Sequence, residues 1–154
     1  MKVAEIISDY RQPRPGDRGD CCHPGEWGYT SEIPEQMKGN WVWVKAMNSP
    51  VWTRRNAGNQ KKEPGLPHPA PEGFNGWAQS MLGVGNPETT VVLMGLTLYC
   101  CLLCTAQELS WRGYTVRILR EGTDTYSGNA KEKNIFFRIR QSQTGQNRYR
   151  GKCS

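Results

Sequence analysis

A chain of 154 residues, 36% of them hydrophobic, is one domain in size and can bury roughly two thirds of its unfolded surface without disulfides. Its six cysteines (Cys21, Cys22, Cys100, Cys101, Cys104 and Cys153) include two adjacent pairs, which suit neither a disulfide framework nor a regular zinc ribbon and point to the reducing cytoplasm. The net charge is +6, the first nine residues are too short and too acidic for a signal peptide, and the longest apolar run, Val91 to Cys104, falls below the ~17 residues of a spanning helix, so no membrane partner is expected.

In chain order, Val3 to Ile7 is a short β-rich run ended by Ser8 and Asp9, and residues 12–28 form a Pro/Gly-rich loop. Ser31 to Met37 predicts a short helix with Pro34 in its first turn and Gly39 as its stop. Trp41 to Lys45 reads as a second strand, aromatic and β-branched, with a lysine at its end. Residues 53–76 hold Lys61, Lys62 and four of the ten prolines, a surface excursion or lid. Apolar residues at 74, 77, 78, 81 and 82 share one helical face, and the strand Thr90 to Met94 follows. A helix from about Tyr99 to Arg112, a turn at Gly113 and a strand Thr115 to Leu119 complete the pattern. Strand alternating with helix predicts an α/β fold, a mostly parallel sheet between helices. Arg138, Arg140, Arg148, Arg150 and Lys152 crowd a tail, residues 136–154, with no acid after Glu132. Such a tail reads as solvated and partly disordered, with contact to nucleic acid or an acidic partner as the other reading.

In parallel sheets reactive groups gather beyond the carboxyl ends of the strands, which here offer Asp9, Lys45 and the Cys100-Cys101 turn. A carboxylate, an ammonium and a thiol converging on one crevice could attack an amide-like carbon. Each also has an ordinary use: a cysteine in an apolar helix packs in a core, a strand-end lysine faces water, and an aspartate caps a turn. Cys104 lies a full turn inside its helix and reads as packing. Asp20-Cys21-Cys22-His23 is a single cluster with no distant second pair, so no metal site is assigned.

Val91-Val-Leu-Met-Gly95, then Cys101, Thr105-Ala106 and Gly113-Tyr114, resemble the nucleophile segment of the isochorismatase-like cysteine hydrolases, which include nicotinamidases and related amidases. In that pattern the cysteine falls six residues after one glycine, four before a threonine and twelve before a second glycine, as Cys101 does; only Thr97, three residues before Cys100, favours its neighbour. Val42-Trp-Val-Lys45 with Ser49 is similar to the family's lysine strand, and Pro24 to Gly28 through Pro34 to the glycine-turn segment before it. The likeness spans residues 1–125. It departs at the start, where the family has a strand ending in Asp-x-Gln, then a helix and a second strand, more than fits before Gly25. If Val3 to Ile7 is the second strand, Asp9 matches a metal-binding carboxylate of nicotinamidases, with Arg11 in place of a histidine; if it is the first, Asp9 is the base. The shortened segment would leave two strand edges to be filled.

The resemblance implies a three-layer α/β/α, N-terminally shortened isochorismatase-like domain over residues 1–135, with 53–76 as a loop insertion. It implies a cysteine hydrolase cleaving a small amide or related C–N bond through a thioester, without cofactor or metal. Cys101 would be the nucleophile, Lys45 would stabilise thiolate and developing charge, Asp9 would shuttle the proton, and amides around Cys101 would hold the oxyanion. Trp27, Trp52, Leu96 and Thr97 would shape the pocket, and a homo-oligomer is open. The alternative is a degenerate, non-catalytic interaction module whose basic tail contacts nucleic acid or an acidic partner.

Overall fold

The computed structural model describes residues 1–9, 29, 32–46, 48–51, 70 and 72–147, with side chains to Arg138. The elements are β1 (Glu5–Ser8), α1 (Glu35–Lys38), β2 (Val42–Lys45), α2 (Gly73–Leu82), β3 (Thr90–Gly95), a π-helical turn (Leu98–Leu102), α3 (Leu103–Trp111), β4 (Thr115–Thr123) and α4 (Ala130–Asn147). The fold is mixed α/β. No helix among the described residues is long and apolar enough to cross a membrane.

The expected mostly parallel sheet is, among the described residues, two parallel pairs. β1 pairs with β2, Ile6 opposite Trp43 and Ser8 opposite Lys45, and β3 pairs with β4, Val91 opposite Val116 and Leu93 opposite Ile118. The second ladder slips between Leu93 and Gly95, so that Gly95 meets Thr123 and β4 runs four residues past the predicted Leu119.

One core serves both pairs. Trp43, Phe74, Ala78, Leu109 and Tyr114 are buried together, with Ile6, Val91, Leu93 and Val116 packed against them, so every strand and both α2 and α3 contribute. Trp43 meets Phe74 edge-on at 5.3 Å, and its indole N–H donates to the Pro50 carbonyl at 2.7 Å, which satisfies the ring's one polar atom inside the core. The alternate residues of β3 point the other way, where Val92 and Met94 are exposed. The helical layer that the three-layer expectation would set over them is not among the described residues.

Local chemistry explains where elements start and stop. Pro34 does not enter the first turn of α1 but precedes it in an extended conformation, as a residue with no N–H to give can do, and Gly39 ends the helix at φ +51°. The turn after α2 crosses the turn after α3 so closely that a Cβ on Gly85 would lie 1.7 Å from the Arg112 carbonyl oxygen. The Tyr114 hydroxyl fastens the same crossing by donating to the Gly83 carbonyl at 2.6 Å. The expected tail begins inside a helix. α4 extends from residue 130 to 147, started by Asn129, whose side-chain oxygen accepts the Lys131 amide at 2.9 Å, and anchored by Phe136, buried with Leu98 and Leu102.

Candidate active site

β2 carries Lys45 to the site by alternation. Trp43 and Lys45 lie on one face of the strand, as do Ile6 and Ser8 on β1, so the register that buries Ile6 against the core sets Ser8 beside Lys45 one step beyond it. The Asp9 amide continues the ladder by donating to the Lys45 carbonyl at 2.8 Å. Only 2% of Lys45 is exposed, and an ammonium so enclosed must be met by acceptors. Its Nζ donates to Ser8 Oγ at 2.7 Å and to Cys101 Sγ at 3.2 Å.

Cys101 arrives on a turn. Beyond Gly95, which takes φ +125°, the Leu96-Thr97 peptide is cis, and Thr97 is still extended before the chain winds into the π turn. The Thr97 carbonyl accepts the amides of Cys100 at 3.1 Å and Leu102 at 3.2 Å, while the Leu98 amide donates to Asp124 O at 2.8 Å. From the other side the Thr105 hydroxyl donates to the Cys101 carbonyl at 2.8 Å, one turn into α3. These bonds hold Cys101 half-buried, its S–H donating to Asn48 Oδ1 at 3.9 Å while its sulfur accepts from Lys45. The amides of Cys100 and Leu102 are therefore spent on the turn, and an oxyanion cannot rely on either.

The structure thus brings together Cys101 and Lys45, which the sequence places 56 residues apart. Asp9 is fully buried one residue beyond Ser8, and the Tyr29 hydroxyl donates to its Oδ2 at 3.5 Å. Thr97 lies at the site as the carbonyl that closes the π turn, whereas Leu96 is 68% exposed. Trp27 and Trp52 lie outside the described residues, as do Cys21, Cys22 and His23. Among the described residues no three of His, Cys, Asp and Glu are grouped to hold a metal ion.

Cys104 stands one turn from Cys101. Burial pushes its thiol up from the ordinary range, the neighbouring Cys101 and Cys100 push further, and Lys45 opposes them. Glu108, a turn further on, is bridged to Arg112 at 2.6 Å and accepts from the Ser49 hydroxyl at 3.5 Å, tying the segment after β2 to α3. Sequence reasoning did not single out Ser8, Tyr29 or Asn48. The signal for Ser8 is its position at the end of a strand that pairs in register with the lysine strand; Tyr29 and Asn48 carry none.

Compared with models of protein families, with curated proteins and with solved structures, the chain matches none.

Proposed function

We propose that the protein is a cysteine hydrolase of the isochorismatase-like kind, cleaving a small amide or related C–N bond. The observation that supports this reading is the 3.2 Å contact between Lys45 Nζ and Cys101 Sγ. The cysteine and lysine singled out by their motif spacing are the same two that meet, and the lysine is buried.

In the proposed reaction the Cys101 sulfur attacks the carbonyl carbon, and its displaced proton goes to Asp9, the base that the resemblance implies. Lys45 faces the sulfur and the charge that gathers beside it in the tetrahedral intermediate. Collapse expels the amine with the returned proton and leaves a thioester on Cys101. Water then attacks that thioester, releasing the acid and restoring the thiol. Ser8 fixes the lysine, and Asn48 the sulfur, from the sides.

The test is release of ammonia or amine from a panel of small carboxamides, nicotinamide among them, by the wild-type chain, Cys101→Ala and Cys100→Ala. Turnover that is lost with Cys101 but kept without Cys100, together with an acyl adduct on Cys101 in the intact mass, is the expected result. Turnover unchanged in Cys101→Ala would overturn the proposal.

A further inference from the structure

Cys101-Leu102-Leu103-Cys104 is a Cys-x-x-Cys sequence laid across the junction of the π turn and α3. Both cysteines are free thiols and both are half-buried, and the hydrolytic reading uses only the first. We propose that Cys101 and Cys104 form a reversible disulfide when the site meets a peroxide.

Residues three apart on a helix have Cα atoms about 5 Å apart, inside the roughly 4.4–6.8 Å window that a disulfide spans. Cys100 is the competing partner, but neighbouring Cα atoms are about 3.8 Å apart, short of that window. Cys104 also lies close enough to Cys101, Cys100 and Lys45 to feel their charges. Lys45, donating to Cys101 Sγ at 3.2 Å, distinguishes the two sulfurs: Cys101 is the one that attacks the peroxide, and Cys104, three residues on, is the one that resolves.

The chemistry closes in two steps. The Cys101 thiolate attacks one oxygen of hydrogen peroxide, the O–O bond breaks, hydroxide leaves and is protonated to water, and the sulfur is oxidised by two electrons to a sulfenic acid. The Cys104 sulfur then attacks the Cys101 sulfur, forming the S–S bond while the S–O bond breaks, and the departing hydroxide takes the Cys104 proton as a second water. A dithiol reductant reverses the change by exchange, returning both thiols and leaving itself oxidised. The bond rests on the spacing of the two cysteines and on the Lys45 contact; that it arrests amide cleavage by occupying the nucleophile rests on the proposed function.

The test treats the full chain with one equivalent of hydrogen peroxide, alkylates residual thiols with iodoacetamide and maps the bridge after chymotryptic cleavage at Leu102 or Leu103, which parts Cys101 from Cys104 unless a disulfide joins them. The expected outcome is a loss of two hydrogens, a Cys101–Cys104 linked pair in both wild type and Cys100→Ser, and full recovery of both thiols in dithiothreitol. In Cys104→Ser the same treatment should leave a sulfenic acid on Cys101 that dimedone traps. A Cys101 thiol that stays alkylatable after peroxide, or a bridge from Cys101 to Cys100, Cys21, Cys22 or Cys153, would overturn the inference. The two proposals fail separately: a chain that forms the bridge but hydrolyses no amide keeps this one and loses the other, and a hydrolase whose Cys101 never pairs does the reverse.

Discussion

The β1–β2 pair and the segment from Gly95 to Cys104 each bring one side chain to the Lys45–Cys101 contact, yet they are built on different principles. The first uses strand register. Four residues of β1 face four of β2 without a slip, β2 is buried from Trp43 onward, and the lysine's position follows from counting along a straight ladder. The second uses a turn. β3 alternates between covered and uncovered residues, its ladder is irregular at Gly95, and the cysteine's position follows from which amides the Thr97 carbonyl gathers. A ladder fixes direction cheaply but can present only what lies at its end, whereas a turn can aim a sulfur sideways at the cost of several backbone groups.

That contrast can be broken at either side. The largest effect is expected on the turn side, where Cys101→Ala should lower amide turnover by at least about 10⁴-fold and Cys100→Ala by less than about 10-fold, measured as steady-state amine release. On the ladder side Lys45→Met should cost about 10²- to 10³-fold in kcat/KM, because the charge facing the sulfur is lost but the nucleophile is kept. Ser8→Ala should cost about 10-fold or less, since Cys101 still receives the lysine. If Ser8→Ala proved as damaging as Lys45→Met, the ladder would be positioning far more than one ammonium.

Stability tests separate the halves further. Gly85→Ala should destabilise the chain by about 3 kcal/mol in a urea titration, because the new Cβ meets backbone that has nowhere to move. The smallest effect belongs to the Lys38–Glu5 pair that braces β1 against α1 at 2.7 Å. Burial disfavours the Lys38 ammonium, but the hydrogen bond and charge of Glu5, helped by Glu35, outweigh it and raise the lysine above its ordinary range. A raised base binds its proton more tightly folded than unfolded. Its contribution is therefore complete below the ordinary lysine range and is lost as pH climbs through the raised value. Glu5→Gln should cost about 1–2 kcal/mol at neutral pH and flatten that alkaline loss.

What could be read in the sequence follows the same division. Trp41 to Lys45 is legible as a strand because its aromatic and β-branched residues allow little else, and its lysine stands at the end by count. The helical face of α2 is legible from Phe74, Ala78 and Met81, all buried. Ser8 is not, because its role depends on which strand pairs with β1 and in what register, a long-range matter that local pattern does not carry. The π turn is equally hidden, since Leu98 and Leu102 fall on one face whether the chain winds by four or by five. In α4 the charge of the segment outweighed a local signal: Asn129, with Glu132 three residues on, marks a helix start, and Phe136 supplies the anchor that composition alone would not reveal.

The pairing of Ser8 with Lys45 has a consequence for which changes the chain can tolerate. Because successive strand residues face opposite sides, deleting one residue between Val42 and Val44 would turn the lysine away from Cys101 while leaving every reactive residue type in place. A substitution at those positions alters packing; a deletion reverses parity. Variation in the length of this four-residue strand should therefore be far more damaging than variation in its identity, and only compensating changes in pairs would restore the aim.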